Sequence, residues 1–107
     1  MTFYEIRRYQ VFPGKMDEWV TFMEKTIIPF QIARGMLIAG SFRGEEDETT
    51  YIWIRRFASE AERKRLYEAV YEDDKWKQII SPRVGELINR DSIQVTRVTP
   101  TSQSVLQ

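Results

Sequence analysis

Two stretches of this chain alternate with a period of two residues, and together they constrain the fold more than any other feature. Thr49 to Phe57 (TTYIWIRRF) is dense in β-branched and aromatic residues, and residues 2–12 (TFYEIRRYQVF) repeat the pattern ahead of a Pro13-Gly14 turn signal. Successive side chains of a strand leave opposite faces of the sheet. One face therefore carries Tyr4, Ile6 and Arg8 with Ile52, Ile54 and Arg56. The other carries Phe3, Glu5, Arg7, Tyr9 and Val11 with Tyr51, Trp53, Arg55 and Phe57.

Between these stretches the period lengthens. Met16, Trp19, Val20, Met23 and Ile27 form one stripe of an amphipathic helix. Pro29 is expected to kink or end that helix near Ile28, with Phe30 and Ile32 in a short continuation and Gly35 as its stop. Residues 36–43 read as a strand with a bulge or close backbone approach at Gly40, and residues 36–57 as a hairpin around the turn 44–48. Ser59 and Glu62 have the spacing of a capping box and open a helix running to about Tyr71. Its inward stripe is expected to be Leu66, Ala69 and Val70, with Glu60 and Lys64 paired on the wet side. Asp73-Asp74 caps a turn carrying Trp76, Ile79 and Ile80. Ser81-Pro82 restarts a helix through Val84, Leu87 and Ile88, and residues 92–98 close as the last strand.

The order β-α-β-β-α-β predicts an α+β fold, the ferredoxin-like split sandwich, with an antiparallel sheet ordered 4-1-3-2. One domain over residues 1–99 is expected, followed by a polar tail over 100–107 that is either loose or laid on a partner. With the aliphatic face turned to the helices, the aromatic face would stay bare, a larger patch than a monomer normally exposes. A homodimer through that sheet face, two sheets enclosing a shared interior, is the expected remedy. If strands one and three are antiparallel and centred on each other, Glu5 opposes Arg55, Arg7 opposes Trp53, Tyr9 opposes Tyr51 and Phe3 opposes Phe57. Glu5–Arg55 is then an ion pair and Arg7 over Trp53 a cation–π contact.

Composition narrows the chemistry. The chain has no cysteine and no histidine, which removes thiolate and imidazole nucleophiles, bases and metal ligands. Sixteen basic residues balance 16 acidic ones, so no bulk field favours nucleic acid or an anionic membrane. No cofactor and no metal are expected. The first twenty residues hold no apolar run of signal-peptide length, and a cytoplasmic location is the default.

The candidate site is the cluster Glu5, Arg7, Tyr9, Tyr51, Trp53 and Arg55. Arg7 or Arg55 can grip a carboxylate or enolate, Tyr9 or Tyr51 can pass a proton, and Trp53 can stack a planar ligand. Alternatively these groups satisfy one another as dimer core. Arg8 and Arg56, expected on the helix side, either pair with Glu62, Glu68 or Glu86 or bind an anion. The acidic run 45–48 lacks the alternating ligands of a calcium loop and reads as a solvated hairpin tip, and the charges of residues 60–65 as a wet helix face.

Tyr4-Glu5-Ile6-Arg7-Arg8-Tyr9 with Pro13-Gly14-Lys15 resembles the opening of NIPSNAP-family proteins. Gly35-Met36 leading to Gly40, Trp53 with Arg56-Phe57, Ser59, Ala61-Glu62-Arg63 and Asp73 to Trp76 continue the resemblance over residues 3–98. It implies the dimeric α+β barrel fold and a family mostly of unknown biochemistry, whose animal members are mitochondrial with targeting segments not seen here. The wider superfamily includes cofactor-free monooxygenases, lactone isomerases and haem-degrading enzymes, many built on histidines that this sequence lacks. Two functions follow as expectations: a small-molecule site in the barrel interior, as a cofactor-free enzyme or as a binder of an aromatic or acidic metabolite, or a non-catalytic dimeric interaction module.

Overall fold

A computed structural model describes residues 1–107. The chain runs β1 (Phe3–Val11), α1 (Met16–Phe22), a π-turn (Met23–Ile27), α2 (Ile28–Ala33), β2 (Leu37–Arg43) and β3 (Thr50–Phe57). It continues through α3 (Glu60–Tyr71), a second π-turn (Trp76–Ile80), α4 (Ser81–Leu87) and β4 (Ile88–Val98). The sheet is four-stranded and antiparallel in the order β2-β3-β1-β4, as the element order predicts. The β1–β3 register also matches: Phe3 faces Phe57, Glu5 faces Arg55, Arg7 faces Trp53 and Tyr9 faces Tyr51. No helix is long and apolar enough to cross a membrane.

Local chemistry explains the connections. Gly14, at φ 77°, takes the left-handed position after Pro13, and Lys15 N–H donates to Phe12 O at 3.0 Å to close the turn. Gly35, at φ 104°, ends α2 in a Schellman motif, with its own N–H on Ile32 O and Met36 N–H on Gln31 O. Ser59 Oγ accepts from Glu62 N–H at 3.1 Å, and the Glu62 carboxylate reaches back to Ala58 N–H at 3.1 Å. The β2–β3 ladder slips between Ile38 and Gly40, the expected bulge. At the hairpin tip, Asp47 accepts from Thr49 N–H and from the Thr49 and Thr50 hydroxyls, which hold its carboxyl down to about 2.

The two helical prolines, Pro29 and Pro82, act differently from expectation. Neither breaks its helix. Each follows a π-turn by two positions, where Ile28 N–H bonds back to Met23 O and Ser81 N–H to Trp76 O. A proline ring collides with the carbonyl four residues earlier; the wider turn accommodates that collision while the helix keeps its direction. Ser81 is thus helical rather than a cap, and its carbonyl and hydroxyl oxygens both accept from Arg90.

The largest correction concerns the faces of the sheet. The aromatic face packs against the helices of its own chain, and the aliphatic face points away. Phe3, Tyr9, Tyr51, Trp53 and Phe57 are all buried, with Trp19 of α1 meeting Tyr9 and Tyr51 edge-on at 5.9 and 5.8 Å. The bulky rings fill the layer between sheet and helices, burying the most apolar area per residue. Arg8 and Arg56 consequently lie on the outward face, and none of Glu62, Glu68 and Glu86 pairs with them. Arg56 Nε instead donates to Gln107 O at 2.9 Å, and Tyr4 Oη donates to the same oxygen at 3.1 Å. The tail is therefore not loose: it folds back over the outward face of its own sheet, Leu106 lying near Ile6 and Ile54. Three smaller expectations also change. Ala69 and Ile79 are exposed. Glu60 pairs with Arg63 and Arg97 rather than Lys64. The last strand starts at Ile88, directly off α4.

Candidate functional site

All six residues singled out from the sequence, Glu5, Arg7, Tyr9, Tyr51, Trp53 and Arg55, lie on the helix-facing side of β1 and β3, but they divide into two neighbourhoods. At one end is a closed network. Arg55 is completely buried; its Nη2 donates to Glu5 Oε1 at 2.9 Å and to the Tyr67 hydroxyl at 2.7 Å. Its Nη1 donates to Gln31 Oε1 at 2.9 Å and to the Tyr71 hydroxyl at 2.7 Å. Glu5, equally buried, also accepts from Arg63 Nε at 2.8 Å and from Tyr67 Oη at 2.6 Å. Burial alone would raise the Glu5 pKa, but Arg63, Tyr67 and Arg55 together outweigh it and hold the carboxyl below its ordinary range. Glu5 is a committed anion, not a base poised near neutrality.

Sequence reasoning missed four of the six members of this network. Arg63, Tyr67 and Tyr71 stand four residues apart on α3, one helical stripe beside the buried Leu66 and Val70. That spacing was the available signal; the run of charges around Arg63 disguised it as a wet face. Gln31, fully buried on α2, left no such mark.

At the other end the packing opens. A cavity of about 180 Å³ lies between the sheet and the helices, mostly apolar, with Trp19, Trp53 and Trp76 in its wall. Both π-turns border it, through Met23, Ile27 and Trp76. Arg7 and Arg90 line it too, and no lining residue carries a carboxylate. Arg7 donates Nε to the Tyr9 hydroxyl at 2.8 Å and Nη1 to the Tyr67 hydroxyl at 3.4 Å; it takes part in no ion pair. The expected Arg7–Trp53 cation–π contact is not formed. Arg55 takes that position, 4.8 Å from the Trp53 ring, and Arg7 lies 5.6 Å from the Tyr9 ring. The indole N–H groups of Trp19 and Trp53 are both buried without a hydrogen-bond partner. Trp53 Nε1 is near enough to the Tyr9 hydroxyl to favour its ionised form slightly, without the geometry of a hydrogen bond.

Proton chemistry here is limited. Burial pushes the Tyr9 hydroxyl up despite neighbouring Arg7, and Tyr51, which shares a 2.5 Å contact with Ser41 Oγ, up to about 12. Tyr67 rises to about 12 for the same reason. These hydroxyls donate hydrogen bonds at neutral pH rather than accept protons. What the cavity offers is a fixed positive charge, neutral donors and aromatic walls.

The NIPSNAP family model matches residues 4–103. A NIPSNAP family protein of Agrobacterium tumefaciens superposes with a TM-score of 0.87 at 26% identity, over 100% of both chains. A second from the same organism, of unknown function, gives 0.88 at 23% identity, over 99% of this chain and 94% of that one. An uncharacterised NIPSNAP-like domain protein of Burkholderia xenovorans gives 0.85 at 18% identity, over 96% of this chain and 88% of that one. No curated protein matches. With the match spanning nearly its whole length and the fold in agreement, the chain belongs to the NIPSNAP family.

Proposed function

We propose that this protein is a homodimeric small-molecule binder whose cavity takes a compact, largely apolar metabolite with an anionic group, held by Arg7. One observation carries the reading. Glu5, the single carboxylate of the interior cluster, already faces two guanidinium groups, Arg55 and Arg63, so the third, Arg7, has no countercharge and lines a cavity. A partly buried cation without a partner is costly, and an incoming carboxylate relieves that cost while gaining charge-assisted hydrogen bonds. Of the two arginines considered from the sequence, Arg55 has its guanidinium termini occupied and belongs to the frame; Arg7 is the grip.

Size narrows the ligand. The cavity of about 180 Å³ is below the range of drug-sized sites and near that of an engineered cavity of about 150 Å³ that admits benzene. A single ring or short branched chain fits. Because all three tryptophans of the chain border the cavity, their fluorescence reports occupancy directly. Titration with benzoate should quench or shift that emission and Arg7→Gln should abolish the response; an unchanged titration in the variant defeats the assignment.

The dimer rests on the outward face. Leu37 and Phe42 are more than half exposed, Val98 is 37% exposed, and Ile6, Ile52 and Ile54 are half-buried beside them. A second copy covering this face removes that apolar area from water. Sedimentation at micromolar protein should return twice the 12.8 kDa chain mass, and Phe42→Asp should shift it to monomer. A monomeric wild type ends the dimer reading and leaves the cavity reading standing.

A further inference from the structure

Resting on the cavity reading above, we infer that the ligand carries two acidic groups, one at each end of a flat apolar spacer, and that Arg90 at the cavity edge recognises the second. Three features place Arg90 for that task. First, the β1–β4 ladder is interrupted. Arg8 pairs with Gln94 but Gln10 pairs with Asn89, so residues 90–93 bulge from the strand. Ser92 Oγ pins this bulge, accepting from Gln10 N–H at 2.9 Å and donating to Asn89 O at 2.6 Å. Bulges re-aim side chains, often beside functional sites, and this one supplies both Arg90 and Ile93 to the cavity wall.

Second, the Arg90 side chain is held rather than free. Its Nη2 donates to Ser81 O and, at 3.0 Å, to Ser81 Oγ. It crosses α4 where Gly85 leaves room: a Cβ at that position would stand 3.2 Å from Nε. Both Nε and Nη1 make no hydrogen bond within the chain. Third, the charge balance is one-sided. Arg7 and Arg90 are both cationic, neither forms an ion pair, and no acidic side chain joins them in the wall. A monoanion on Arg7 leaves one of these charges uncompensated; a dianion matches both.

The two arginines should contribute unequally. Arg7 is partly buried and Arg90 exposed, so the Arg90 contact is screened by salt while the Arg7 contact largely persists.

Benzoate and terephthalate, a matched monoacid and diacid, separate the possibilities by tryptophan fluorescence and calorimetry on the full chain. Terephthalate should bind the wild type more tightly than benzoate at low salt. Arg90→Gln should weaken terephthalate roughly three- to fivefold, the scale of a partly exposed ion pair, and weaken benzoate distinctly less; 0.5 M salt should mimic that loss. Gly85→Leu, which displaces Arg90 without removing it, should reproduce the pattern. If both acids bind but Arg90→Gln affects them equally or not at all, the second recognition point is overturned and the Arg7 site stands. If neither acid binds the wild type, both readings fall.

Discussion

Two guanidinium groups on neighbouring strands, Arg55 and Arg7, show how differently two ends of one sheet surface are built. They share the helix-facing side, one on β3 and one on β1, and both touch the Tyr67 hydroxyl. Around Arg55 the hydrogen-bonding partners at both guanidinium termini are oxygens of the same chain, and the facing carboxylate is wholly buried. Around Arg7 no carboxylate answers, and an aromatic-walled cavity takes the place of packing. A buried polar network satisfied except at Arg55 Nε favours one rigid interior arrangement. The unanswered Arg7 charge beside a void is the basis of the proposed binding site.

The comparison breaks most readily at Arg55. Arg55→Met should cost roughly 3–5 kcal/mol, because it strands the buried Glu5 with only Arg63 and Tyr67. Pairing it with Glu5→Leu should recover much of that loss, since two well-packed apolar groups need no countercharge. Urea denaturation of the two singles and the double makes the test. A double variant as unstable as the sum of the singles would show that the network's energy lies in packing rather than in charge compensation.

Next comes acid. The folded-state pKa of Glu5 lies below its ordinary 4.5. Its contribution is therefore complete above pH 4.5 and fades as pH falls through the folded value, where the unfolded chain takes up the proton first. Stability of the wild type should fall through that window faster than stability of Glu5→Gln, so the gap between them narrows. Parallel curves would mean that Glu5 is not the ionised centre of the network.

A smaller effect is expected at Arg63. This residue contacts Glu5 from a position 26% exposed at its side chain, and water can replace part of what it supplies. Arg63→Ala should cost about 1 kcal/mol, well short of Arg55→Met, as read from thermal melts.

The register that carries this network was legible in the alternation. Opposing Glu5 to Arg55 required only that two similar strands be centred on each other, and a register displaced by one residue would have exchanged every side chain between faces. Which face meets the helices was not legible, because period two separates two sets of residues without saying which layer covers either. Helix volume decides it: Trp19, Met23 and Ile27 form a broad stripe that packs with rings. The cavity was hidden for a related reason. Its borders are two π-turns and a strand bulge, places where the regular periods on which sequence reading depends are interrupted. Pro29 and Pro82 marked those interruptions, but as apparent helix breaks.

The smallest expected effect separates frame from site most sharply. Arg7→Gln removes a charge and weakens hydrogen bonds to Tyr9 and Tyr67, a loss of about 1 kcal/mol at most. Against that, Arg7 acts on Arg55 as a like charge, and its neutralisation relieves that repulsion as well as the burden of a partly buried cation. The two effects oppose each other, so the urea midpoint should move little while benzoate binding disappears. Structural residues and binding residues differ in the sign of this exchange: a frame residue loses stability when cut, whereas a residue held ready for a ligand loses affinity and keeps the fold. A large fall in stability on Arg7→Gln would place Arg7 with Arg55 in the frame, and the cavity would then be a packing defect rather than a binding site.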